Sequence, residues 1–198
     1  MILLSAHLDR VIQDFDLKFD RGVHTGLLDN FMGVLLTYLT LYDDQNLVRL
    51  EREGCLKVWH NKGEEWGRLD DAPKVTGDDV VVVIDGWVMT TEKYDFALDN
   101  IFGFNAKAVR EIKEWMEWEG FRPLIKRFSG NPDEEDESWS WHDRCPRVLV
   151  FSYPIQAKND GWHRVQMDNT TTYEAMARCR QALKRLIGGP LSEYLTPQ

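Results

Sequence analysis

The sequence has 198 residues, of which 43% are hydrophobic and 29% are charged, and this globular composition excludes a largely disordered chain. Its 24 basic and 33 acidic residues give a formal net charge of −9. That excess of negative charge disfavours nucleic acids and anionic membranes as partners, because both reward positive charge.

The start of the chain and its cysteines predict the compartment. No apolar run approaches the ~18 residues of a membrane helix. Residues 1–7 lack the basic start and long apolar stretch of a signal peptide. The three cysteines are odd in number and lack metal-type spacing, as expected of reduced thiols. We expect one cytoplasmic domain over residues 1–198.

The first third of the chain predicts a strand followed by a helix. Residues 2–6 are apolar and predict a buried strand, residues 11–19 fit either a strand or an extended loop, and residues 22–26 fit a turn. Residues 30–42 are mostly apolar and too long for one strand, so they predict a buried helix. Asp29 or Asn30 is well placed to cap it.

The rest of the chain alternates strands with helices. Residues 80–84 are five β-branched residues in a row, typical of a strand covered on both faces. Further strands are predicted at 56–59 and 147–155, and helices at 106–119 and 170–187. This alternation indicates an α/β fold, with a largely parallel sheet and helices on both faces.

Candidate ligands for a divalent metal follow the predicted strands or precede the helices. They are His7, Asp9, Asp29, Glu64, Glu65, Asp85 and His163. In such sheets functional sites form where strands end in loops, and imidazoles with carboxylates suit a divalent metal. Each residue alone has an ordinary explanation, such as a helix cap for Asp29 or a surface loop for Glu64 and Glu65. Their order along the chain is the informative feature.

This ordered set resembles the di-zinc exopeptidase superfamily, especially its aminopeptidase branch. The family pattern is His-x-Asp, Asp before a helix, Glu-Glu after a strand, Asp after the next strand, and His before the last helix. This sequence has Ala6-His7-Leu8-Asp9, Asp29-Asn30, Gly63-Glu64-Glu65-Trp66-Gly67, Ile84-Asp85-Gly86 and Trp162-His163. The resemblance spans residues 2–187 and implies a three-layer α/β/α fold with a mixed, mostly parallel sheet.

The resemblance also implies a ligand set for two metal ions. Asp29 would bridge the ions, His7 and Asp85 would complete one set of protein ligands, and Glu65 and His163 the other. Zinc is the first expectation, and manganese or cobalt would suit the same nitrogen and oxygen donors.

Two further residues receive catalytic roles from the same resemblance. Glu64 would act as general base, taking a proton from the metal-bridging water and passing it to the leaving amine. Asp9 would accept the second ring N–H of His7 and fix its tautomer. The implied activity is hydrolysis of a peptide or small amide by an aminopeptidase.

The sequence also departs from the family pattern. Family members usually carry a helix and further strands before the His-x-Asp strand, so we expect an N-terminally shortened sheet. Either the sheet is smaller, or its edge is completed otherwise, for instance by another subunit in a homo-oligomer, because an exposed first strand needs cover. Residues 10–28 and 66–84 are too short for an inserted lid domain, which predicts an open site.

Substrate contacts are less well specified. A carboxylate within residues 133–137 could hold a free α-amino group, and Trp87, Trp139, Trp141 and Trp162 could line a pocket, although packing is the commoner role of tryptophan. His24, His60 and His142 are interpreted as structural or exposed. Two alternatives stay open: an amidohydrolase acting on a small acylated amino acid, and a non-catalytic metal-binding relative.

Overall fold

A computed structural model describes residues 1–7, 32–61, 72–89, 97–118, 141, 144–156 and 169–197. The strands are β1 (Ile2–His7), β2 (Leu56–Asn61), β3 (Val80–Met89), β4 (Ala97–Phe102) and β5 (Val148–Gln156). The helices are α1 (Met32–Tyr42), α2 (Gln45–Arg52), α3 (Ala106–Trp118) and α4 (Asn169–Gly188), followed by a short 3₁₀ turn, Ser192–Tyr194. In this part of the chain no helix has the length and apolar character to cross a membrane.

The strands form one five-stranded sheet in the order β2-β1-β3-β5-β4. The neighbours β2, β1, β3 and β5 run parallel, and β4 pairs antiparallel with β5. This confirms the predicted α/β class with a mixed, mostly parallel sheet. The first strand is an interior strand, paired with β2 on one side and β3 on the other. It is therefore not an exposed edge that needs cover.

The sheet separates two apolar clusters, and β3 contributes to both. Val80, Val82 and Ile84 belong to the cluster that includes buried residues of all four described helices. Val81 and Val83 belong to the cluster on the opposite face, which includes Trp141. Both faces of β3 are therefore covered, as the run of β-branched residues predicts.

Two elements were not predicted from the sequence. Helix α2 is short and polar, but its Leu47 and Leu50 are buried, and the Asp44 carboxylate caps it by accepting from the backbone N–H groups of Asn46 (2.9 Å) and Leu47 (3.3 Å). Strand β4 contains polar residues and a register shift between Asp99 and Ile101, and its pairing with β5 defines it. In both elements a specific hydrogen-bonding partner outweighs a weak apolar pattern.

A buried ion pair fastens the amino end of the sheet. The α-ammonium nitrogen of Met1 lies 2.7 Å from Oδ1 of Asp79, and both side chains are at most 2% exposed. The second carboxylate oxygen of Asp79 accepts from the backbone N–H and the hydroxyl of Thr76, at 2.6 and 2.9 Å. These contacts hold β1 and the start of β3 together at the end opposite the candidate ligands.

Candidate metal centre at the carboxyl edge of the sheet

His7 and Asp85 occupy neighbouring positions at the carboxyl edge of β1. The parallel ladder between β1 and β3 ends with the pair Ala6 and Ile84, and His7 and Asp85 are the next residues of the two strands. Adjacent strands lie about 4.8 Å apart, so the backbone brings these two positions side by side. This arrangement is compatible with both residues binding one ion, and the ligand assignment itself stays a prediction.

The environment of Asp85 differs from the prediction in one respect. The apolar run of residues 80–84 predicts a strand that ends on Asp85. Strand β3 instead continues to Met89, because its pairing with β5 continues through Asp85 and Ser152 to Met89 and Gln156. Asp85 therefore lies within a strand, on a more rigid backbone than a loop would give.

The register adds two polar positions that sequence reasoning did not identify. Asn61 pairs with His7 across β1 and β2, and Ser152 pairs with Asp85 across β3 and β5. Four neighbouring strands therefore carry Asn61, His7, Asp85 and Ser152 at adjacent positions. The sequence could not reveal this row, because it depends on the strand order and on the register of three separate ladders.

The two strands that follow β1 in the chain, β2 and β3, lie on opposite sides of β1 in the sheet. Between β1 and β2 it passes through α1 and α2, which pack in the helix-covered cluster. Between β2 and β3, Ala72 and Val75 pack against the cluster on the opposite face. With β2 and β3 on either side of β1, the strand order has its switch point there. Ligands of open α/β sheets bind in the crevice that such a point creates at the carboxyl ends of the strands.

The remaining predicted site residues fall outside the described part of the chain. These are Asp9, Asp29, Glu64, Glu65 and His163. The acidic segment 133–137 lies outside it as well, as do His24 and His142. Among the described residues no group of three or more His, Cys, Asp or Glu side chains could hold a metal ion. His60, interpreted from the sequence as structural or exposed, has its ring centroid 6.3 Å from that of Tyr38 in an edge-to-face contact.

Two of the three buried cysteines are in environments unfavourable to metal ligands or nucleophiles. Cys55, Cys145 and Cys179 are all free and buried. Burial raises the pKa of the Cys145 thiol, and it raises the pKa of the Cys179 thiol well above its ordinary value. Because the thiolate is the reactive and metal-binding form, these environments favour inert structural cysteines.

An aromatic pair, buried Trp141 and half-buried Trp59, lies next to the candidate edge. The indole N–H of Trp141 donates to the hydroxyl of Ser5 at 3.2 Å, and the Trp141 ring meets the Trp59 ring edge-to-face, with centroids 5.8 Å apart. Ser5 and Trp141 are both fully buried. Trp141 therefore has the packing role that is commoner for tryptophan, and its contacts join β1 to β2 two residues before His7 and Asn61.

Comparisons with known proteins identify no family. No protein-family model matches the chain, and no curated protein matches it. A solved structure described as PhTET1-12s, a dodecamer in the asymmetric unit, is similar over 54% of this chain and 33% of its own, with 14% identity and a TM-score of 0.33. The matched region thus spans about a third of that chain. A zinc-free apo structure of YNDL is similar over 93% of this chain and 85% of its own, with 10% identity and a TM-score of 0.35. Similarities at this level establish no common function.

Proposed function

We propose that this chain is a metal-dependent hydrolase of peptide or amide bonds, and specifically an aminopeptidase. One observation carries the proposal: His7 and Asp85, which the family resemblance assigns to one ion, occupy neighbouring positions at the switch point of the sheet. The resemblance depends on the order of residues along the chain and the switch point on the order of the strands, and both favour the same edge.

The donor types at this edge fit a divalent cation. An imidazole and a carboxylate on adjacent strands supply nitrogen and oxygen donors, which suit zinc and also admit manganese or cobalt. In the proposed set Asp29 would serve as a ligand to both ions, and Glu65 and His163 would complete the protein ligands of the second ion. Three carboxylates beside two dications would leave one net positive charge, which would favour deprotonation of a bound water. When bound, such a pair of ions acidifies water and polarises the scissile carbonyl.

The other proposed roles belong to protein side chains. Glu64 accepts the proton of the attacking water and delivers it to the leaving amine, so that peptide-bond cleavage yields a neutral amine. Asp9 accepts from the second ring nitrogen of His7 and keeps the other nitrogen available to the metal. A substrate with a free α-amino group would find a negatively charged partner within residues 133–137.

The test combines metal content with hydrolysis. Protein purified without chelator is expected to contain about two divalent ions per chain and to hydrolyse aminoacyl amides, with activity lost on chelation and restored by zinc. Glu64→Gln should retain the metal and lower kcat by at least about a hundredfold, the scale of general-base catalysis. Glu114→Gln is the matched control, because Glu114 is an exposed helix residue.

Each alternative result has a distinct meaning. Metal binding with hydrolysis of N-acyl amino acids instead of aminoacyl amides would indicate the amidohydrolase, and metal binding without hydrolysis the non-catalytic relative. Absence of metal after zinc is added back would contradict the proposal. Full activity in Glu64→Gln would contradict the assigned mechanism.

A further inference from the structure

The cluster of Ser5, Trp59 and Trp141 has the geometry of a support for the proposed metal centre. Ser5 pairs with Trp59 on β2 and with Val83 on β3. One two-residue strand repeat further along, the three strands reach Asn61, His7 and Asp85. One further row, Ala6 with His60 and Ile84, separates these positions from the candidate ligands, and the strand repeat of two residues places the Ser5 row and the His7 row on the same face of the sheet.

Trp141 is itself held firmly against the sheet. Its backbone carbonyl accepts from the N–H groups of Arg144 (2.9 Å) and Cys145 (2.8 Å). The Cys145 thiol in turn donates toward the carbonyl oxygens of Arg147 at 3.2 Å and Asp79 at 3.5 Å, next to the start of β5 and β3. The indole is thus attached to the sheet through its side chain and through the backbone turn that follows it.

The hydrogen bond to Ser5 holds the Trp141 indole in place across β1 and β2. A buried indole N–H that loses its acceptor is costly, and the ring moves to find another partner. Because the same ring packs against Trp59, such a movement would also disturb the contact that joins β1 to β2 through this ring. That disturbance would act two residues before His7, and metal ligands tolerate little change in geometry.

We propose that Trp141 is a positioning residue of the metal centre, holding the carboxyl ends of β1 and β2 in register through Ser5 and Trp59. This inference rests on the proposed function, because it assigns the role with respect to the same site. Trp141 acts through the backbone of these strands and touches neither metal nor substrate. The expected consequence of losing its hydrogen bond is weaker metal binding by a protein that is still folded.

Zinc affinity, measured by competition with a fluorescent chelator, tests this role without relying on activity. Ser5→Ala and Trp141→Phe each remove the Ser5–Trp141 hydrogen bond, and the phenyl ring retains most of the packing. Each is expected to weaken zinc binding by up to about tenfold, because loss of a residue hydrogen-bonded directly to a metal ligand costs about 10–100-fold and Trp141 acts one step further from the metal. The double variant should be no weaker than either single variant, because both changes remove one shared interaction.

Thr40→Val is the matched control. It removes another buried hydroxyl, which donates to the carbonyl of Leu36 at 2.7 Å within α1. Circular dichroism and a thermal scan confirm that each variant is folded at the temperature of the titration. Zinc affinities of Ser5→Ala and Trp141→Phe within twofold of the control would overturn the positioning role. A wild-type chain that binds no zinc would instead refute the proposed function, and the inference with it.

Discussion

Asp79 shows how one residue of this protein satisfies several demands at once. One carboxylate oxygen neutralises the buried α-ammonium of Met1, and the other accepts two hydrogen bonds from Thr76. A buried charge left without its partner is strongly destabilising, because its desolvation is no longer compensated. Replacing the Asp79 carboxylate by a neutral group of similar shape should therefore destabilise the start of β3.

Asp79→Asn is expected to lower the free energy of unfolding by about 3 kcal/mol, since it leaves the buried ammonium without a countercharge. The measurement is chemical denaturation followed by circular dichroism. Asp78→Asn, at the exposed neighbouring position, is the control and should change stability by less than about 0.5 kcal/mol. Equal effects of the two substitutions would show that the ion pair does not stabilise the fold.

At the residue scale, the order of motifs along the chain can be taken from the sequence, whereas contacts between distant residues cannot. The motif order singled out His7 and Asp85, whose strands are adjacent, and their role as metal ligands stays a prediction. The hydrogen bond between Trp141 and Ser5 joins residues 136 positions apart, and no local pattern signals it. Asn61 and Ser152 were missed for the same reason, because their place beside the candidate ligands follows only from strand register.

At the scale of elements, the passage from β4 into α3 depends on a close approach of two backbones. Gly103 follows β4 with φ of +77°, and a Cβ built there would overlap the carbonyl of Pro146, just before β5. Glycine thus serves two purposes at this point, a left-handed backbone and the absence of a side chain.

Gly103→Ala is expected to destabilise the protein by at least 2–3 kcal/mol, roughly the combined scale of left-handed strain and a forced backbone shift. Gly54→Ala is the matched control: Gly54 has φ of +74°, but a Cβ there would meet nothing within 4 Å. The control should cost only about 1 kcal/mol, from the backbone conformation. Denaturation curves of both variants provide the comparison, and equal losses would exclude a steric effect at Pro146.

The elements that sequence reasoning found were those with a strong apolar pattern. The strands β1, β2, β3 and β5 and the helices α1, α3 and α4 were all predicted, with shifts at their ends. Helix α2 and strand β4 were missed because a cap and an antiparallel partner define them. The strand order was beyond sequence reasoning, since it is a property of packing between distant segments.

For the molecule as a whole, metal binding and folding should be coupled. A ligand that binds only the folded state stabilises it by mass action, by about 2.7 kcal/mol per site at a free concentration of one hundred times Kd. The candidate ligands come from segments distributed from His7 to His163 along the chain. A metal bound by these residues would link segments that lie far apart in the sequence.

Zinc at that concentration is expected to raise the unfolding midpoint by roughly 5–10 °C for each occupied site, and by about twice that for two sites, since each kcal/mol corresponds to about 2–4 °C in a domain of this size. His7→Ala and Asp85→Asn should abolish most of the shift. His60→Gln is the control, because His60 contacts Tyr38 of α1 and is not a proposed ligand. Differential scanning calorimetry provides the measurement, and an equal shift in all three variants would contradict the assignment of His7 and Asp85.

The two-sided packing of β3 has a consequence for how the protein locates Asp85. Val80 to Ile84 are so alike that sliding β3 by one residue would exchange two nearly equivalent sets of side chains between the two cores. The packing of this run therefore specifies the register of β3 only weakly, so a separate contact has to fix it. The Asp79 ion pair fixes the register at the amino end of β3. Asp85 lies six residues later, about 20 Å along the strand. An ion pair at one end of the sheet thereby determines the position of a candidate ligand at the other end.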